Sequence, residues 1–328
     1  MKLLLVVYHR FELWQAPPWF AERLRKDFPG LEVVQRKEYA GMEDDLRDAD
    51  ILVTWSLRSE QFRAARKLRW IHSPAAAVHA LMIPEVVAGD VVVTNARDVH
   101  GPVVAEHVIA LVLAMAKRLP SAFRYQLERT WAQEQIWRES PHPREIAGAT
   151  LGLVGLGSIG LETAKRAAAL GMEVIAVREH GERPSDRAVT KTLGPNDLGE
   201  MLQASDYVVL AAPLTPRTRA LMNEDRLRQM KPDAYLVNVS RGALVDEAAL
   251  VAVLNQGRIA GAALDVFAKE PLPPESLLWK TPNVLITPHS AALTEKLWQR
   301  HYALISENLR RLLAGVPLLN VVDKARGY

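Results

Sequence analysis

Three short words in the second half of the chain hold the residue types that acid–base and carboxylate chemistry need. In NVSRG at 238–242, Arg241 stands beside a glycine. Its guanidinium offers two parallel donors, a geometry suited to a carboxylate. DVFAKEP at 265–271 supplies Asp265 and Glu270, and TPHSA at 287–291 supplies His289. A carboxylate converging on an imidazole fixes its tautomer and favours its protonated form, which makes an acid–base pair. Each word follows a short apolar run (235–239, 260–265 and 284–287) that reads as a strand, and open α/β sheets bind ligands at the carboxyl ends of their strands. Taken singly, Arg241 reads as a surface salt bridge, Glu270 as a solvated loop acid and His289 as a packed histidine. Only convergence, which spacing does not prove, would turn them into a site.

The stretch 150–178 shows what such a site would act with. An apolar run at 151–154 leads into Gly155-Leu-Gly157-Ser158-Ile159-Gly160, then a helical pattern over 161–170, a stop at Gly171 and a second apolar run at 172–177. A glycine-rich turn between strand and helix lets a pyrophosphate sit on backbone N–H groups at the positive end of the helix. Gly155 would make the tight turn, Gly157 would let the backbone approach the phosphates, and Gly160 would let the helix pack on the sheet. The bare pattern is weak, but the strand–turn–helix–strand context is the one it requires. Arginine, glutamate and histidine at three strand ends facing a dinucleotide suggest hydride transfer to a 2-oxo acid. The residue expected to face the ribose 2′ position lies about 20 residues beyond the glycine turn. Here it is Arg178, which would attract a 2′-phosphate, with Arg183 assisting. NADP is therefore expected, with NAD as the alternative because Glu179 is adjacent.

These words need a scaffold. Apolar runs and helical patterns alternate over the first hundred residues, with strands expected at 2–7, 31–34, 51–54, 70–72 and 91–94, as in an open flavodoxin-like sheet. A long helix apolar on most faces follows at 101–119 and is expected to be buried, between domains or subunits. Residues 120–148 read as a polar, functional or subunit-contacting loop carrying Trp131 and Trp137. Further strands are expected at 188–193 and 207–211, with helices at 196–204 and 246–256. A last helix over 294–314 has no strand partner in the second half and is placed back on the first domain. The fold expected is α/β: two doubly wound parallel-sheet domains, a Rossmann nucleotide-binding domain (100–290) inserted in a discontinuous flavodoxin-like substrate domain (1–99 and 291–328). The 328 residues suit two domains. The net charge of +3 is spread along the chain and makes no case for nucleic acid or membrane partners. The absence of cysteine excludes disulfides, thiolate metal sites and cysteine nucleophiles, and no metal is expected. MKLLLVVYHR reads as a first strand rather than a signal peptide, so a cytoplasmic protein is expected.

Over nearly its whole length the chain resembles the D-isomer-specific 2-hydroxyacid dehydrogenases. The matching words are GLGSIG at 155–160, PLTPRT at 213–218, NVSRGALVDEAAL at 238–250, ALDVFAKEP at 263–271 and TPHSA at 287–291. TN at 94–95 and VVAEHVIALVLAMAKRLP at 103–120 also fit. The resemblance implies that Arg241 binds the substrate carboxylate and polarises the 2-oxo group. It implies that His289 exchanges the proton with that oxygen and that Glu270 supports His289. Asp265 would lie near the nicotinamide amide, and Val239, Ser240 and Arg241 along the ring. Ala212, Pro213 and Thr218 would follow the adenosine and pyrophosphate side. The family's carboxylate-cradling loop matches Pro74-Ala-Ala76-Ala77-Val78-His79, with alanines where a glycine is usual and His79 where an aspartate is common. Trp55 would line the pocket or simply pack on a loop. Small 2-oxo acids such as glyoxylate, hydroxypyruvate or a larger analogue are the implied substrates, in a likeness to glyoxylate/hydroxypyruvate reductases, while the buried helix at 101–119 and the Trp-bearing stretch after it favour a homodimer. A rival is a non-enzymatic NAD(P)-sensing adaptor on the same fold. A formate-type branch usually carries glutamine at the position of Glu270, so Glu270 counts against it.

Overall fold

The apolar runs form the strands, and nearly every strand is parallel to its neighbours because helices separate them in sequence. The computed structural model describes residues 1–179, 186–325 and 327. Arg183 lies outside the described residues. The described chain divides into two units, Met1–His100 with Leu293–Tyr328, and Gly101–Ala292.

In the first unit, β1 (Lys2–Val6), β2 (Glu32–Arg36), β3 (Ile51–Thr54), β4 (Trp70–Ser73) and β5 (Val92–Asn95) make a parallel sheet in the order β2-β1-β3-β4-β5. Leu3, Leu4, Leu5 and Val6 are wholly buried, as a central strand covered on both faces must be. The helix Leu297–Leu313 belongs here: Trp298, Tyr302, Ile305 and Leu309 pack with Phe20 and Leu24 of the helix Pro18–Asp27 over Leu3, Leu5, Ile51 and Val53. Two polar anchors fix its register. The Trp298 indole donates to the Leu13 carbonyl at 2.8 Å, and the Tyr302 hydroxyl to the Asp27 carboxylate at 2.6 Å. Beyond it, the Asn308 side chain ties Leu319 through both amide atoms, and Val321 bridges antiparallel to Thr94.

The second unit holds β6 (Thr150–Val154), β7 (Glu173–Val177), β8 (Lys191–Leu193), β9 (Tyr207–Leu210), β10 (Tyr235–Asn238), β11 (Gly261–Leu264) and β12 (Val284–Ile286). All are parallel, in the order β12-β11-β10-β9-β6-β7-β8. The order reverses between β6 and β9, which is where doubly wound sheets open a ligand crevice. The helix Gly101–Ala116 buries Val104, Val108, Val112 and Met115 against Leu151, Leu153 and Val237 of this sheet.

Two expectations need correction. Residues 120–148 are not a structureless loop: they contain the helices Leu119–Leu127 and Gln133–Arg138. Neither helix buries a residue, although Leu119, Phe123 and Leu127 recur at helical spacing. The strand expected at 188–193 shrinks to β8, because the Asp186 side chain and carbonyl take the amides of Ala188 and Val189 and turn the chain. The sequence reading also passed over the helix Glu224–Gln229, whose N-cap, Asn223, accepts from the amide of Arg226 at 3.1 Å.

Candidate active site

The glycine turn is built as an anion cradle. Gly155 sits at φ +99°, and a Cβ there would stand 2.8 Å from the Ala212 amide nitrogen, so both conformation and space require glycine. A Cβ on Gly160 would lie 2.1 Å from the Gly155 carbonyl oxygen, which is how closely the helix Ser158–Ala169 returns to the strand end. Gly157 caps that helix without a side-chain hydrogen bond, and a Cβ on it would meet nothing within 4 Å. Its surface is open at the point where helix N–H groups lack partners, which fits a pyrophosphate.

Arg241, Glu270 and His289 follow β10, β11 and β12, neighbours in the sheet, and the structure brings them together. Glu270 uses both carboxylate oxygens: one accepts the Phe267 amide at 3.0 Å, and the other lies 2.6 Å from His289 Nδ1. Nδ1 thus faces the carboxylate, leaving Nε2 for a substrate. The Arg241 turn is stapled by Asn238, which is buried; its side chain donates to the Arg241 carbonyl at 3.0 Å and accepts the Ser240 amide at 3.1 Å. The Ser240 hydroxyl donates to the Ala212 carbonyl. Burial lowers Arg241 from its ordinary value, and the nearby Glu270 carboxylate opposes that shift. The two loops meet at Gly242, where a Cβ would stand 1.8 Å from the Phe267 carbonyl carbon.

Asp265 anchors the turn that carries His289. Almost fully buried, it accepts the Ser290 amide at 2.8 Å and the Thr287 hydroxyl at 2.6 Å on one oxygen, and the Ala291 amide at 3.0 Å on the other. It therefore clamps the turn that carries His289, whose φ is +50°. Because Thr287 gives its only hydroxyl proton to Asp265, it accepts from His107 Nε2 at 3.1 Å, which assigns the proton to that nitrogen. Burial pushes His107 down from its usual value, with Asp265 pulling the other way. The sequence reading missed His107, Asn238 and Thr287 as positioning residues. The one available signal was an imidazole on a helix otherwise apolar on most faces.

The remaining expected residues are distributed as follows. Arg178 stands just past β7, half-buried, with its amide on the Leu193 carbonyl at 3.1 Å. Glu179 is held by Arg217 at 2.7 Å. Thr218 closes its loop on itself, accepting the Thr215 amide and donating to the Pro213 carbonyl, each at 2.7 Å. Val239 is buried in the sheet's core, so its backbone rather than its side chain is what a ligand could meet. In the first unit, the Trp55 indole donates to the Trp14 carbonyl at 3.1 Å and its ring meets Trp14 edge-on. Ala76 is exposed and its carbonyl accepts from Asn95 at 2.7 Å. Ala77 is half-buried, whereas the Val78 side chain packs into the core. The amides of Ala76, Ala77 and Val78 have no acceptor among the described residues. Trp131 is 91% exposed, and the exposed Trp137 stacks on His142. No group able to hold a metal occurs among the described residues, nor is any described helix long and apolar enough to cross a membrane.

Fold and turn together define a class, the dinucleotide-binding proteins of Rossmann type. Residues 109–291 match the family model of the D-isomer specific 2-hydroxyacid dehydrogenase, NAD binding domain. A glyoxylate reductase of Thermofilum pendens is 38% identical over 286 residues, covering 85% of this chain and 83% of that protein. Among solved structures, a D-isomer specific 2-hydroxyacid dehydrogenase from Xanthobacter autotrophicus Py2, in complex with NADPH and MES, superposes with a TM-score of 0.83 at 35% identity over 99% of both chains. An NADPH-dependent glyoxylate/hydroxypyruvate reductase from Sinorhizobium meliloti, in complex with NADP and sulfate, gives 0.82 at 28% identity over 100% of both. The chain belongs to the D-isomer-specific 2-hydroxyacid dehydrogenase family.

Proposed function

We propose that the protein reduces small 2-oxo acids, of the glyoxylate or hydroxypyruvate kind or a larger analogue, to D-2-hydroxy acids, preferring NADP over NAD. The observation that carries the reading is the His289–Glu270 pair at 2.6 Å beside Arg241, on the carboxyl edge of the sheet that bears the glycine turn. When bound, the reduced nicotinamide supplies a hydride to C2. Arg241 holds the substrate carboxylate in two-point contact and polarises the C2 oxygen. His289 Nε2 delivers a proton to that oxygen, and Glu270 keeps the imidazole oriented and its charge compensated. Hydride and proton together convert the oxo group to a hydroxyl, and the reverse steps oxidise the product. The amides of Ala76, Ala77 and Val78, without an acceptor among the described residues, suit an anionic group, and Trp55 is proposed to limit pocket size. Gly155, Gly157, Ser158, Ile159 and Gly160 would hold the pyrophosphate, Ala212, Pro213 and Thr218 the adenosine side, and Val239, Ser240 and Asp265 the nicotinamide side. Arg178 at the end of β7 supports the NADP preference. Helices Leu119–Leu127 and Gln133–Arg138 and the link between them expose Phe123, Leu127, Trp131 and Trp137, an apolar surface that supports a homodimer.

A panel of 2-oxo acids assayed with NADPH and with NADH, with His289→Ala as control, tests this. The expected result is turnover that is faster with NADPH and that falls by about 100-fold or more in the variant, the scale of a lost acid–base catalyst. Binding of NADPH without its oxidation by any 2-oxo acid would instead indicate a dinucleotide sensor, and near-normal turnover by the variant would remove His289 from the mechanism.

A further inference from the structure

A free carboxylate beside the ribose 2′ position favours an unphosphorylated ribose and repels a 2′-phosphate. Glu179, one residue past Arg178 at the end of β7, would offer such a carboxylate, yet it is engaged: Arg217 Nη1 lies 2.7 Å from Oε1. The two residues are 38 apart in sequence and come from different strand ends. Glu179 follows β7, Arg217 follows β9, and β6 with its glycine turn runs between those strands in the sheet. The ion pair therefore reaches across the edge that carries the phosphate cradle. The loop that presents Arg217 is braced by its own hydrogen bonds. Thr218 Oγ1 joins the Thr215 amide to the Pro213 carbonyl, and the amides of Thr218 and Arg219 return to the Thr215 carbonyl at 3.1 and 3.0 Å. Arg217 is thus held where it meets Glu179, although its side chain is 85% exposed.

We propose that Arg217 determines cofactor specificity by acting through Glu179. By occupying that carboxylate it removes the group that would select an unphosphorylated ribose, and leaves Arg178 to select the 2′-phosphate. The inference rests on the dinucleotide reading above and adds a residue from a separate loop to it.

The test is calorimetric titration of the full-length chain with two adenosine fragments, 2′,5′-ADP and 5′-AMP, which reads binding without turnover. Wild type, Arg217→Ala, Glu179→Gln and the double variant are compared; the exposure of Arg217 makes its replacement harmless to the fold. Wild type is expected to prefer 2′,5′-ADP. Arg217→Ala, with Glu179 released, should lose about threefold or more of that preference, on the scale of an exposed ion pair converted to a like-charge neighbour. Glu179→Gln should retain the preference, and adding it to Arg217→Ala should restore it. An unchanged preference in Arg217→Ala overturns the inference. A double variant as poor as Arg217→Ala also overturns it, because Arg217 would then contact the phosphate directly. Failure of wild type to bind either fragment would overturn the dinucleotide reading itself, and a wild-type preference for 5′-AMP would overturn the NADP assignment, each taking the inference with it.

Discussion

A carboxylate to hold and a proton to move, the tasks proposed for Arg241 and His289, set different demands on the two residues. The arginine needs a fixed fork of donors, and the Asn238 staple supplies it by fixing the turn rather than the side chain. The histidine needs one nitrogen occupied, and Glu270 occupies it. His289 also sits at φ +50°, a conformation that costs a non-glycine residue roughly 1–2 kcal/mol. The Asp265 carboxylate, which collects the Thr287 hydroxyl and the Ser290 and Ala291 amides, offsets that cost. Arg241→Lys keeps the charge and loses the fork. Its kcat/KM for 2-oxo acids should fall by about 10- to 100-fold, the worth of a charge-assisted hydrogen bond. NADPH affinity, followed by fluorescence titration, should stay within about twofold on the same scale. Wild-type kcat/KM in this variant would remove Arg241 from carboxylate binding.

Between elements, the decisive distances are backbone distances. The loop after β10 and the loop after β11 can touch only because residue 242 has no side chain: the missing Cβ would fall 1.8 Å from the Phe267 carbonyl carbon and 2.2 Å from the Ala268 nitrogen. Glu270 reaches His289 from the second of these loops while also capping the Phe267 amide, so displacing the loop displaces the acid. Gly242→Ala should therefore lower the thermal midpoint, since forced overpacking costs about 1–3 kcal/mol. It should also reduce kcat/KM by about 100-fold, as expected for misplacement on the order of 1 Å. Circular dichroism melts and steady-state kinetics on one preparation measure both. A stable but fully active variant would show that the spacing of the two loops is not critical.

On the scale of the whole molecule, acid stability is expected to depend on buried histidines of the first unit. In the first unit His72 is wholly buried on β4, with Nδ1 2.8 Å from Thr94 Oγ1, and burial pushes it down to about 3. His301, also fully buried on the helix Leu297–Leu313, is pushed well below its usual value by burial, with His100 and His72 adding to the effect. Above about pH 6.5 both folded and unfolded chains hold these imidazoles neutral, and no stability is lost through them. As pH falls below that, the unfolded chain takes up protons that the folded one refuses. Stability then declines by up to about 1.4 kcal/mol per pH unit for each such histidine, for His72 until the folded group itself titrates near 3. Urea unfolding between pH 7 and pH 5 should show this slope, and His72→Gln should flatten it. A slope unchanged by the substitution would assign the acid sensitivity elsewhere.

The sequence alone determined most of the strands, the glycine turn and the words that hold Arg241, Glu270 and His289, because a buried parallel strand is a continuous apolar run and the words follow such runs directly; β8, mostly exposed and polar, was the exception. Local periodicity also marked the helix Leu297–Leu313, whose apolar stripe is strong. The helices Leu119–Leu127 and Gln133–Arg138 were passed over in a mostly polar stretch, although Leu119, Phe123 and Leu127 recur at helical spacing; neither helix buries a residue. Tertiary structure decided the rest. The convergence of His289 on Glu270, the clamp that Asp265 places on the His289 turn with Thr287 and His107, and the capture of Glu179 by Arg217 all join residues from different strand ends. The order of strands in a sheet is a long-range property, set by crossover connections and core packing, and no local spacing encodes it. Even Gly155-Leu-Gly157-Ser158-Ile159-Gly160, legible as a phosphate turn from its residues, came to stand between the strand ends that precede Glu179 and Arg217 only when β7 and β9 closed on either side of β6.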